Sequence, residues 1–314
     1  MDAGWASGAD AAMMIRILFV ALGICSLVFI AVWVAEVRKN HKASLPGIRD
    51  CAIGLVTLFL DTLGIGAFAT TTAFFKLWRL VPDEDIPGTL NIGITLPAVA
   101  EAAIYMSVVD VDVKTLTLMI VAASVGAWFG AGVVARWPRR KIQIGMGTTL
   151  LVTAGFMLMT MFHVLPVGGE DFGLVGVRLW IAVAANLLLG ALMTLGIGFF
   201  APCMMVVYLL GMSPKAAFPI MMGSVAFLGT VGSIRFIQEQ RYRWKSAIGM
   251  TIGGIPGVLL AAYLVRSLPL APLRWLVFSV MIYTAIMMLR SAHREQQSRK
   301  RVDVASAEGF EIEA

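Results

Sequence analysis

The sequence predicts an all-α polytopic membrane protein: two four-segment repeats, each starting with a Gly-broken or re-entrant helical hairpin, behind one extra N-terminal transmembrane helix. Three observations predict it. Of 314 residues, 59% are hydrophobic and 14% charged, against about 25% charged in an average soluble domain. Uncharged runs long enough to cross a hydrocarbon layer recur along the chain. The pentapeptide Thr-Leu-Gly-Ile-Gly occurs twice, at 62–66 and 194–198. A mean hydropathy of +0.85 excludes a disordered chain and a soluble enzyme. Cys25, Cys51 and Cys203 lie in apolar runs without CxxC or CxxH spacing, so neither a disulfide framework nor a metal site is expected. The net charge of +6 sits in short clusters between apolar runs, which reads as membrane orientation rather than a nucleic-acid footprint.

The first unit is 1–47. Ile17 to Ala35 carries no charge, Asp2 and Asp10 precede it, and Arg38, Lys39 and Lys42 follow it. That flank order is the reverse of a signal peptide's, so a retained transmembrane helix with its N-terminus outside is expected. The first repeat, 48–165, opens with 51–75, where Asp61 stands alone among charges; as one helix it would reach ~37 Å. Spans follow at 86–109, interrupted by Glu101, then at 115–135 and 142–162. The second repeat, 166–292, opens with 179–214, which holds no Asp, Glu, Lys, Arg or His. As one helix that stretch would reach ~54 Å, nearly twice the hydrocarbon thickness. Spans follow at 216–234, 246–265 and 269–289, the last with Arg274 near its start. Residues 293–314 are polar, basic and then acidic, and read as a disordered cytoplasmic tail.

Both over-long stretches are interrupted by the repeated pentapeptide, at an offset of 132 that also aligns Ala69 with Ala201, Leu77 with Leu209, Pro82 with Pro214 and Pro87 with Pro219. After a one-residue slip Lys114 meets Lys245, Gly126 meets Gly257 and Pro138 meets Pro269. Duplication with matching broken segments points to a transporter whose site lies at the breaks. Charge separates crossing from turning back. Leaving out Arg16 and Arg235, which lie within segments, Lys and Arg divide 14 to 9 between the two sides if both broken segments cross, and 18 to 5 if both are hairpins. The positive-inside rule favours hairpins, which makes the halves inverted and the C-terminus cytoplasmic in a cell inner membrane.

After each Gly pair a new helical segment starts inside the membrane, and its unpaired amides and positive dipole end favour an anion. In the first half these positions run Ala67, Phe68, Ala69, Thr70, Thr71 and Thr72; in the second, Phe199, Phe200, Ala201, Pro202 and Cys203. The two tips are expected to meet near the midplane. Gly pairs also serve close helix packing, but two matched pairs in over-long segments favour breaks. Asp61, whose repeat partner is Met193, is either a proton carrier or a cap for the restarted helix. Glu101, matched to Ser233, is either a proton relay or the ion-pair partner of Arg235. Arg235 is a snorkelling anchor or a substrate contact, and Asn91, Asn186 and Ser224 either ligate substrate or join helices. His41, His163 and His293 lie in loops and tail, and HExxH, GxSxG and GxxxxGK[ST] are absent. No enzyme activity, catalytic residue, metal or cofactor is expected.

The ordered set of motifs resembles the TauE/SafE sulfite exporter family, the TSUP permeases. It runs Leu-Gly-Ile-Gly-Ala-Phe-Ala (63–69) to Pro87, then Leu-Gly-Ile-Gly-Phe-Phe-Ala-Pro (195–202) to Met-Gly-Ser (222–224). The loop Arg241-Tyr242-Arg243-Trp244-Lys245 and the Gly253-Gly254-Ile255-Pro256-Gly257 helix follow, so the resemblance spans about 48–290. It implies a secondary transporter of small sulfur-containing anions such as sulfite, thiosulfate or organosulfonates, exporting by alternating access. The alternatives are an anion channel and a scaffold or assembly factor without transport. Partners are the small anion and the lipid bilayer, without nucleic acid, and a homo-oligomer is compatible with this reading. The substrate-binding set is Thr62, Gly64, Gly66, Ala67, Thr70, Thr71 and Asn91 in the first half. In the second it is Thr194, Gly196, Gly198, Phe199, Cys203 and Ser224. Asp61 and Glu101 are the proton-coupling candidates and Arg235 the anion contact. The chain departs from the family pattern in Asp61, in the three threonines, and in Asn91-Ile92-Gly93 where the second half has its Ser.

Overall fold

The computed structural model describes residues 8–39, 45–63, 66–108, 111–162, 164, 169–195, 199–264, 275, 278–279, 282–294 and 296. The described residues fold into α1 (Gly8–Lys39), α2 (Ile48–Thr62), α3 (Phe68–Leu77), α4 (Ile86–Val108) and α5 (Val113–Val134). Then come α6 (Arg139–Met161), α7 (Gly176–Met193), α8 (Phe200–Leu209), α9 (Pro214–Gln238) and α10 (Trp244–Leu264); residues 282–294 are helical again. Six of these helices are long and apolar enough to cross a membrane: α1, α4, α5, α7, α9 and α10. This is a multi-pass, all-helical membrane protein.

The apolar runs at 86–109, 115–135, 142–162, 216–234 and 246–265 become helices within a few residues of the predicted bounds, because a helix satisfies its backbone polar groups in lipid. The first run lies inside the longer α1, and most of the expected span 269–289 lies outside the described residues. Local chemistry trims their ends. Asp112 caps α5 by accepting the Thr115 amide at 2.8 Å, and Pro214 opens α9 where a missing N–H costs nothing. The Gly47 amide donates back to Asp50 at the start of α2.

Small residues set how the helices pair. On α10, Gly249, Gly253 and Gly257 face Asp50, Cys51 and Leu55 of α2 with no room for a Cβ. Numbers rise together along both helices, so α2 and α10 run parallel. Gly126 and Gly130 of α5 meet Leu187 and Ala191 of α7 in the same way, so α5 and α7 are parallel too. At the centre, α4 and α9 are antiparallel: Tyr105 stacks on Phe218 at 5.5 Å, while Thr95 meets Ser233 at 3.0 Å.

Contacts between loops define two ends. At one, Ser246 bonds Asp50, Lys76 bonds Asp83 and Ser291, and Arg136 pairs with Glu239. At the other, the Asp112 amide donates to Phe172 O and the Ser213 amide to Asp171 O. α2 therefore starts, and α3 finishes, at the first end, which gathers most of the described Lys and Arg and is called the basic end below. α7 starts, and α8 finishes, at the opposite end.

Candidate functional site

The first break is made by Leu63 to Ala67, with Gly66 at φ +91°, a region that glycine enters without strain. Gly64 lies outside the described residues. Across the break the Ala67 amide donates to Asp61 Oδ1 at 2.7 Å, so the chain's own carboxylate occupies the first amide of the restarted helix. Thr70 and Thr72 donate to the carbonyls of Ala67 and Phe68 at 3.0 and 2.7 Å. Those hydroxyl protons are spent within α3. Thr71 Oγ1 is buried and has no hydrogen-bond partner.

Behind the break stands Glu101, fully buried on α4. Its Oε1 is 2.7 Å from Thr62 Oγ1, and the Tyr105 hydroxyl donates to the Thr62 carbonyl at 2.9 Å. The alternative of a Glu101–Arg235 ion pair is overturned by register. Thr95 and Ser233 pair across the antiparallel seam, so Glu101 lies above that level and Arg235 below it. Arg235 instead sits 4.0 Å over the Trp128 ring, a cation–π arrangement, with its buried Nε unpaired. Asn91 spends its Nδ2 on Pro87 O at 2.8 Å.

At the second break Thr194 ends α7, its hydroxyl on Ala191 O at 2.7 Å, and Phe199 and Phe200 are buried where α8 starts. Gly196 and Gly198 lie outside the described residues. Cys203 is fully buried and reaches Asn186 Oδ1 at 3.5 Å. Asn186 Nδ2 reaches Met119 O at 3.1 Å and Ser224 Oγ at 3.3 Å. Four helices, α5, α7, α8 and α9, thus share one polar knot without a carboxylate.

The flanks of the two breaks do not lie side by side. Glu101, beside the first, is six residues from Thr95, or about 9 Å of helix. Thr95 meets Ser233, next to Gly232, which packs on Ala127 and Ala131; at that level Thr194 meets Gly130. The physical reason is arm length. With 15 and 18 residues, α2 and α7 reach ~22 and ~27 Å, so each passes the middle of a ~30 Å layer from its own side.

A cavity of about 1040 Å³ opens at the basic end, lined by Lys76, Arg79, Arg139, Arg243, Lys245 and Arg294 against one carboxylate, Asp83. Asp83 is 3% exposed and takes Lys76 at 2.6 Å, Gln143 at 2.6 Å and Arg139 at 3.3 Å. Burial pushes the Tyr242 hydroxyl of this cavity up to about 12, so the ring stays neutral at ordinary pH and offsets none of the cations. Sequence reasoning used these basic residues for topology and missed that they share one cavity. The signal was present: the 136–141 cluster and the 241–245 loop fall on one side only in the hairpin topology. Tyr105 was also missed, because its target is a backbone carbonyl.

A family model described as "Sulfite exporter TauE/SafE" matches residues 3–157 and 179–310. No curated protein and no solved structure matches the chain.

Proposed function

This chain belongs to the TauE/SafE sulfite exporter family, whose members are transporters rather than enzymes, and from that premise we propose that it exports small sulfur-containing anions by alternating access. The carried anion is sulfite, thiosulfate or an organosulfonate. Its halves, 48–165 with α2–α6 and 166–292 with α7–α10 and the last helix, are inverted copies that rock about the α4–α9 seam, and α2–α3 and α7–α8 are re-entrant hairpins. The basic end faces the cytoplasm of a cell inner membrane, which puts the start of α1 outside.

The observation that carries this reading is the cavity at the basic end, with six cations and one carboxylate. A mouth of that charge concentrates anions at the cytoplasmic side. The inside-negative potential then favours their exit by ~2.3 kcal/mol per charge per 100 mV. Within the bundle the anion rests at the second break rather than symmetrically at both. The first break already holds Asp61 on its amide, and that carboxylate repels an anion. The second has no carboxylate at its flanks, lies near Arg235, and offers Thr194 and Phe199, with Cys203 and Ser224 deeper along α8 and α9. Thr62, Gly64, Gly66, Ala67, Thr70, Thr71 and Asn91 line the opposing, moving half.

Flux of sulfite, thiosulfate and sulfoacetate in proteoliposomes tests the proposal. Saturable flux of at least one, lost in Gly198→Leu while the protein remains inserted, supports it. Absence of flux for all three, or non-saturating currents in planar bilayers, refutes it.

A further inference from the structure

The hydrogen bonds around Thr62 do not balance with the protons of a threonine alone. Thr62 Oγ1 lies 2.9 Å from the Leu58 carbonyl oxygen and 2.7 Å from Glu101 Oε1. A hydroxyl has one proton to donate, and a carbonyl oxygen has none. With Thr62 donating to Leu58, the back-bonding habit of a helical threonine, the second short contact needs a proton on Glu101. The other oxygen points the same way: Glu101 Oε2 is buried without a partner. Ionised, this carboxylate would leave a lone pair of charge uncompensated at membrane depth. As an acid donating from Oε1, it leaves only a neutral carbonyl oxygen unpaired.

Among the described residues no cation pairs with Glu101. Asp61 from α2 and Tyr105 from α4 are the titratable groups within electrostatic range of Glu101. The parts of α3, α9 and α10 packed near this level, 68–75, 218–231 and 251–261, contain no Asp, Glu, Lys, Arg or His. Arg235 is turned onto Trp128. Asp61 is committed to the Ala67 amide, where the start of α3 stabilises negative charge.

We infer that Glu101 is the site at which this transporter binds and releases a coupling proton, with Asp61 as a fixed negative partner and Thr62 as the switch. The coupling role rests on the transport reading above. In the releasing step the Glu101 Oε1–H bond breaks and the proton passes to a water molecule that reaches Oε1. The ionised Oε1 then draws the Thr62 hydroxyl proton away from Leu58 O. The last turn of α2 loses that bond, and Tyr105, which holds the Thr62 carbonyl, is tied to the same turn. Rebinding a proton from water restores the bond to Leu58. The charge state of one carboxyl is thereby passed to the end of the helix that carries the break.

Infrared difference spectroscopy on the purified full chain in lipid nanodiscs reads the proton directly. The expected result is a carboxylic-acid C=O band that titrates with pH, vanishes in Glu101→Gln and persists in Asp61→Asn. A band that survives in Glu101→Gln, or one absent from the wild type at every pH, overturns the assignment. Coupling is read in proteoliposomes loaded with a pH-sensitive dye and given a gradient of thiosulfate, which has no titrating proton near neutral pH. Protons should move with the anion in the wild type. In Glu101→Gln the proton-to-anion ratio should collapse, and whatever flux remains should no longer depend on pH. Wild-type anion flux without proton movement, or proton movement that persists in Glu101→Gln, overturns the coupling. If no sulfur anion moves while the infrared band behaves as expected, the substrate reading fails and the proton site stands.

Discussion

Asp61 illustrates how one side chain serves both fold and site. Its carboxylate caps the amide that the break in α2–α3 leaves open, at 2.7 Å. Asp61→Ala should strand that buried N–H and cost ~1–3 kcal/mol, whereas Asp61→Asn keeps an acceptor and should cost less. Thermal unfolding of the detergent-purified protein, with the two variants in parallel, checks the order. Gly66 makes a separable case. An added Cβ there would meet nothing within 4 Å, so Gly66→Ala is resisted by the left-handed backbone alone, ~1–2 kcal/mol. Gly66→Asn should recover part of that loss, since asparagine tolerates positive φ. Asp61 and Glu101 were legible in the sequence because a charge inside an apolar run is expensive and therefore conspicuous. Asn186, Ser224 and Cys203 were legible as polar candidates, but their meeting in one knot and the Tyr105 contact were not. They depend on the rotation of four helices about their axes, and near-uniform apolarity leaves no periodic signal to fix it.

Among the elements, the parallel pairs α2–α10 and α5–α7 are held by glycines pressed on backbone. Gly253 faces the Cys51 carbonyl and Gly126 the Leu187 carbonyl, each too close for any Cβ. Overpacking a core costs ~1–3 kcal/mol where side chains can move, and a backbone oxygen cannot step aside. Gly253→Ala and Gly126→Ala should therefore each lower the melting temperature clearly. Gly23→Ala in α1, where nothing lies within 4 Å, should leave it unchanged or raise it slightly, because alanine is the better helix former. Equal melting temperatures for all three would show that close approach is not what pairs these helices. The element bounds were readable from the charge-free runs, and the interruptions from the Gly pairs. The depth of the interruptions was not. It follows from arms of 15 and 18 residues, lengths that hydropathy does not fix; the first arm's start is tied by the Gly47 amide to Asp50.

For the molecule entire, the telling property is the separation of charge between its ends, and it makes two linked predictions about sidedness and salt. Single cysteines placed at Lys76 and Arg139 should both label from the cytoplasmic side, whereas one at Lys114 should label from the periplasmic side. Labelling of the first two from outside would return α2–α3 and α7–α8 to simple crossings and remove the inverted relation between the halves. If the sidedness holds, the basic cavity is the mouth from which anions depart, and its charges act at a distance rather than by fixed contacts. Lys245 tests this well. It is exposed on the cavity wall, on α10 and away from both breaks, so replacing it leaves the packed seams intact. Lys245→Glu changes the local charge by two units within a cavity that otherwise has five cations and Asp83. Steering of this kind alters capture by tenfold or more in strongly charged clefts. One position among six should therefore lower flux from the cytoplasmic side by about threefold at low ionic strength. At physiological salt the Debye length shrinks to ~8 Å, less than the width of a cavity this size, and the deficit should narrow. Because the change acts on capture, the substrate concentration at half-maximal flux should rise while the maximal rate stays put. A fall in maximal rate with no dependence on salt would place Lys245 in the moving machinery instead of the mouth.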